Sequence, residues 1–175
     1  DLGVHTSVIT SAVFARFISA RRNERLHAKK VLPISTIKMD VNRTDFIEKV
    51  RLALYLSKIV SYAQGFVLLA EAAKHYNWSL DFKSISKIFR GGCIIRAQFL
   101  NRIAEAYEKN PNLENLLLDD YFMDIVKNGL GALREVNSIA VLSGIPVPAL
   151  NSAISYYDAY RSDALSTNLV QAQRD

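Results

Sequence analysis

Apolar positions recur along this chain at helical spacing, and no stretch alternates steadily between apolar and polar. In "VITSAVFARFISARRNERLHAKK" the apolar stripe runs through Val8, Ala12, Ala15, Phe17 and Ile18, and Pro33 ends the helix it predicts. Residues 32–42, "LPISTIKMDVN", read as a connector. Asn42 followed by Asp45 has the form of an N-cap with an acid in the first turn. From there one helix can run to Tyr76, roughly 34 residues or ~50 Å at 1.5 Å per residue. A helix so long and so apolar on all sides must be sheathed by others.

Beyond it, "NWSLDF" (77–82) reads as a turn and helix resumes over about 83–110, broken or kinked at Gly91 and Gly92. "NPN" (110–112) is a stop before a short leucine-rich helix that leads into "LDDYF". Further helices are predicted over about 120–143 and 149–163, separated by the breaker "SGIPVP", with a short one in "NLVQAQRD". The expected fold is all-α, a multi-helix domain built around a long buried central helix.

The totals narrow the class. Half the residues are hydrophobic and 22% are charged, which suits a globular chain with a real core. The net charge of +5 suits an anionic partner without demanding one. One cysteine excludes an internal disulfide and fits a reducing compartment, so a cytoplasmic location is expected. Residues 2–20 are apolar but lack a preceding basic region and a cleavage site, so no signal peptide is read there. The opening Asp1 points to a segment upstream. "LALYLSKIVSYAQGFVLLA" (52–70) is long enough to span a bilayer. Ser57, Lys58, Ser61, Tyr62 and Gln64 interrupt it, and a lysine in mid-span is expensive in lipid. A core helix is the expectation, with no membrane partner.

Candidate chemistry is sparse. His5, His27 and His75 are scattered and Cys93 stands alone, so no metal site is expected. Asp119 and Asp120 diverge by about 100° if helical and read as helix-start acids, not a catalytic pair. "RGGC" lacks the spacing and the lysine of a phosphate-binding loop. Tyr55, Tyr62 and Phe66 read as core. The basic stretch from Arg21 to Lys30 would suit nucleic acid, but no aromatic residues interleave it, and a solvated helix end is expected. Arg16 differs. It is the only charged side chain between Leu2 and Ala20, and its guanidinium cannot shed its charge. In an apolar setting it needs a protein carboxylate, a snorkelling stem or a bound anion. Arg174, in "VQAQRD", has a surface position as its default.

Six ordered motifs then carry a resemblance: "VFARFISARRNER", "ALYLSKIVSYAQGFVLL", "RGGCIIR", "NLLLDDYF", "GIPVPALNSAISYYDAYR" and "NLVQAQRD". Together they closely resemble the all-helical C-terminal domain of the 6-phosphogluconate dehydrogenase family, across essentially the whole chain. The resemblance implies oxidation of 6-phosphogluconate with NADP, decarboxylation of the 3-keto acid, and release of ribulose 5-phosphate and carbon dioxide. It implies an intertwined homodimer. It also implies that residues 1–175 are the substrate-binding and dimerisation domain, while an N-terminal Rossmann domain holding NADP lies outside this chain. The family's catalytic lysine and glutamate would likewise lie upstream, before a "GTGKW" signature.

By the same resemblance the family's "FAR" arginine, which binds the substrate phosphate, falls on Arg16. The "QAQRD" arginine, which reaches the neighbouring subunit's phosphate site, falls on Arg174. Two arginines can clamp a phosphate with charge-assisted bonds. The sequence departs from the family pattern at His5 and Ser166, where prolines are usual. The family's aromatic tail with its histidine is not seen after Asp175. "RGGCIIR" has no substrate role in this reading. Its glycines are expected to let two helices approach closely, with Cys93 as a small buried hydrophobe. A helical scaffold without catalysis is the alternative reading, and a nucleic-acid-binding helical domain a third.

Overall fold

The computed structural model describes residues 2–174. Eight α-helices follow in order among them: α1 (Ser7–Ala20), α2 (Arg22–Val31), α3 (Arg43–Tyr76), α4 (Phe82–Ile88), α5 (Leu100–Lys109), α6 (Asp120–Leu142), α7 (Pro148–Tyr160) and α8 (Thr167–Ala172). A 3-10 turn, Leu116–Leu118, leads into α6. No strand occurs among the described residues.

The 34-residue α3 organises the rest. Asn42 starts it as the motif predicts: Asp45 N–H donates to Asn42 Oδ1 at 3.1 Å. Asn77 stops it in the left-handed conformation, φ 56°, and Trp78 N–H closes back onto the Ala73 carbonyl at 2.9 Å. Between these ends Ala53, Leu56, Ile59, Val60, Ala63 and Phe66 are buried. Each large side chain among them contributes about 1.5–3 kcal/mol by leaving water. The stretch is apolar enough to cross a membrane by composition, yet half of it is already buried inside the protein.

Helix α6 lies along α3 and supplies Phe122, Val126, Leu133 and Val136 to the same core. Asp119 caps it, accepting from Tyr121 N–H at 3.0 Å, so the acidic pair is the helix start that the sequence suggests. The two helices pack closely at Gly129, where an added Cβ would sit 3.3 Å from Leu56 Cβ. Lys49 ties the pair from outside, 2.8 Å from Glu135 and 2.7 Å from Asp45. Proline opens α7 at its first turn, where its missing N–H costs nothing. Around the far end of α3, Phe66, Phe82 and Tyr107 meet with ring centroids 5.1–6.1 Å apart.

The sheath around α3 is incomplete within one chain. Ile47 and Leu54 are exposed, as are Phe14, Phe17 and Ile18 on α1. Other expectations are corrected. The basic segment is not one helix with α1: Arg21, at φ −86° and ψ 51°, breaks the run into two. The glycine pair does not kink a helix, because residues 89–99 leave helical structure altogether. Nor does it bring helices together, for a Cβ built at Gly91 or Gly92 meets nothing within 4 Å. Gly92 is there for its positive φ of 67°, and Cys93 is only partly buried.

Candidate substrate-phosphate face

Helix α1 is positioned by a hydrogen bond that no local signal supplies. Thr6, its N-cap residue, makes no side-chain cap. Gln64, wholly buried in α3, does the work instead: its Oε1 accepts from Val8 N–H at 3.0 Å and its Nε2 donates to Ser7 Oγ at 3.2 Å. Ser11 and Ser152 join α1 to α7 with hydroxyls 2.6 Å apart. His5, just before the helix, rests on Tyr156 with ring centroids 5.2 Å apart. Tyr156 is itself fixed by Asn115 Nδ2, which donates to its hydroxyl at 2.8 Å.

These contacts use the side of α1 that carries Val8 and Ser11, and they turn the other side outward. Arg16 lies on that outer side. It is exposed, with no hydrogen bond or ion pair among the described residues. The sequence-based picture of a guanidinium trapped in a greasy interior is therefore corrected. Its neighbours Phe14, Phe17 and Ile18 are apolar but 61–62% exposed themselves, so they do not bury the charge. A recess of about 360 Å³ between α1 and α2 is walled by Phe14, Phe17, Ile18, Arg21, Glu24 and Arg25, and Arg16 is not in its wall. Within one chain the face is an open shelf and not an enclosed phosphate pocket.

Arg174 follows the last turn of α8, with its N–H on the Gln171 carbonyl at 2.9 Å. Its side chain is exposed and has no partner among the described residues. Helix α8 buries no residue, and Leu169 is 72% exposed. Among the described residues no hydrogen bond links Arg174 to Arg16. Helix α2 also buries nothing; Arg21, just before it, pairs with Glu24 at 3.3 Å, and Arg25 within it donates to the Ser19 carbonyl. Tyr55 and Tyr62 pack edge-on against Phe99, and Phe66 is buried in the core, in line with the reading of all three as core residues. Burial, with a smaller contribution from Tyr121, pushes the Tyr55 phenol up to about 12.

Sequence reasoning missed two things here. Gln64 was legible only as a polar interruption of an apolar run. The two arginines of the 89–99 loop, Arg90 and Arg96, line one recess together with Asn101 from the first turn of α5. Their separation in sequence gives no hint of this.

Comparison with known proteins places the chain in a family. The family model described as 6-phosphogluconate dehydrogenase, C-terminal domain, matches residues 1–175. The decarboxylating 6-phosphogluconate dehydrogenase of Lactococcus lactis subsp. lactis is 53% identical over 175 residues, all of this chain and 37% of the relative. The NADP(+)-dependent decarboxylating enzyme of Bacillus subtilis is 54% identical over 176 residues, all of this chain and 38% of its own length. In three dimensions the chain superimposes on Plasmodium falciparum 6-phosphogluconate dehydrogenase, a protein solved in its apo form, with its cofactor NADP+ and with its substrate 6-phosphogluconate. That match has a TM-score of 0.92 and 41% identity, and covers 98% of this chain and 37% of the other. The chain spans well under half the length of the relatives it matches. Full coverage by the family model, with 53–54% identity to the two bacterial enzymes, places the chain in the 6-phosphogluconate dehydrogenase family, as its C-terminal domain.

Proposed function

We propose that the protein is an NADP-dependent 6-phosphogluconate dehydrogenase (decarboxylating), with this chain as its substrate-binding and dimerisation domain. The observation that carries the reading is identity of 53–54% across the entire chain to enzymes of that name. The reaction takes a hydride from the substrate's C3 carbon while the C3 hydroxyl gives up its proton, yields a 3-keto acid, and loses carbon dioxide to give ribulose 5-phosphate. A β-keto carboxylate loses carbon dioxide readily because the electron pair passes into the adjacent carbonyl.

Arg16 is assigned to the substrate phosphate and Arg174 to the phosphate site of the neighbouring subunit. Support comes from their positions in "FAR" and "QAQRD", and from guanidinium groups left without internal partners. Held by such a clamp, the sugar acid would present its reacting carbon in one orientation. The described residues contain no strand, glycine loop and helix in sequence, so they do not fit NADP. The cofactor is assigned to an upstream Rossmann domain.

A homodimer is part of this proposal. Phe14, Phe17, Ile18, Val31, Leu32 and Ile34 are all more than 60% exposed, and apolar side chains left in water in such number suit a covering partner. A covering body would also desolvate Arg16 and strengthen its hold on an anion. The cytoplasm, a reducing compartment, suits the free thiol of Cys93.

The test is turnover by the full-length protein. Mixing it with 6-phosphogluconate and NADP should produce NADPH and carbon dioxide in equal amounts. A pure, folded, dimeric preparation that makes neither would refute the proposal.

A further inference from the structure

Residues 89–99 form an irregular loop that is firmly held on one side and offered to solvent on the other. On the inner side Phe99 is 4% exposed and packs against Tyr55 and Tyr62. The Tyr62 hydroxyl donates to the Ile95 carbonyl, and Arg96 N–H closes a turn onto the Cys93 carbonyl at 3.1 Å. On the outer side a recess of about 470 Å³ is lined by Arg90, Arg96, Ala97, Gln98 and Asn101.

The wall holds two permanent positive charges and no acid. Arg90 is fixed by neutral acceptors only: its Nη1 donates to Asn101 Oδ1 at 2.6 Å and its Nε to the Lys87 carbonyl at 3.4 Å. Such bonds orient the guanidinium without cancelling its charge. Because Asn101 accepts through Oδ1, its amide NH2 is left to donate, and Gln98 adds a second amide. Among the described residues neither Arg90 nor Arg96 meets a carboxylate within 4.0 Å. By contrast Arg51, Arg102 and Arg134 each have one.

We infer that this recess is an anion site for a phosphate group, separate from the face that carries Arg16. Two guanidinium groups match the oxygen geometry of a phosphate. The amides of Gln98 and Asn101 supply further donors to its remaining oxygens. The pinned backbone lowers the ordering cost of binding. The ligand is either free inorganic phosphate or a phosphate ester of a small sugar.

The test is calorimetry on the full-length protein at low salt, titrating inorganic phosphate and glucose 6-phosphate in separate runs. Wild type should bind at least one of them in a salt-sensitive manner, the tighter one naming the source. In an Arg16→Ala background, which removes binding at the substrate-phosphate face, phosphate binding should persist, and adding Arg96→Gln or Arg90→Gln should weaken what remains tenfold or more. Both loop arginines are exposed, so neither variant should alter melting. Absence of any Arg96-dependent binding would overturn the inference. So would loss of all phosphate binding in Arg16→Ala, or an Arg96→Gln protein that binds phosphate normally but dissociates into subunits.

Discussion

Gln64, at the middle of the longest helix, accepts the N–H of Val8 at 3.0 Å across 56 residues of sequence and so caps a different helix. The bond sets how α1 leaves the core and therefore where Arg16 stands. Gln64→Leu would keep the volume but strand the Val8 N–H in a buried site. Loss of one buried partner costs about 1–3 kcal/mol. Urea unfolding should report that loss, with Lys58→Ala, an exposed change on the same helix, staying within roughly 0.5 kcal/mol.

Asn115 and Tyr156 form a second buried link, at 2.8 Å, between the 3-10 turn and α7. Tyr156→Phe leaves the Asn115 amide without that acceptor. Thermal melting should fall by several degrees, since 1 kcal/mol moves a domain of this size by about 2–4 °C. An unchanged Tm would mean that water replaces the hydroxyl without penalty.

The two neighbouring glycines should respond differently to one substitution. Gly92→Ala forces a side chain into φ 67° and should cost about 1–2 kcal/mol. Gly91→Ala meets open space at a φ outside the left-handed region, and should be neutral or stabilising by up to about 1 kcal/mol. Equal losses at both sites, measured by denaturant titration, would restore a packing role for the pair.

Alkaline pH should unfold the protein progressively. Burial raises the phenols of Tyr55, Tyr107 and Tyr156 above their ordinary 10.0, Tyr55 to about 12. The folded state therefore holds protons that the unfolded chain releases first, and stability falls with rising pH. The stabilisation is complete below pH 10 and is lost as pH climbs from 10 through about 12. Circular dichroism under mild urea should show that fall, and Tyr107→Phe should flatten part of it.

Legibility in the sequence followed the range of the forces involved. The ends of α3 were readable because Asn42 and Asp45 cap through local bonds, and because a run so apolar must be internal. The start of α6 was readable at Asp119 for the same reason. The break at Arg21 was not, since neither glycine nor proline marks it. The close approach of α3 and α6 at Gly129 depends on Leu56, 73 positions away, and no local pattern encodes it. Arg16 was singled out correctly as a charge among apolar residues. Its burial was inferred wrongly, because apolar neighbours in sequence do not say whether anything covers them.

The central claim is that Arg16 grips the substrate phosphate, and its exposure makes the experiment clean. Having no internal partner, Arg16→Ala should leave the melting temperature of the full-length protein unchanged. Calorimetry with 6-phosphogluconate should then show binding weakened by about 1.5–3 kcal/mol, roughly tenfold to more than a hundredfold. Equal affinity of the two folded proteins would contradict the account and place the phosphate elsewhere.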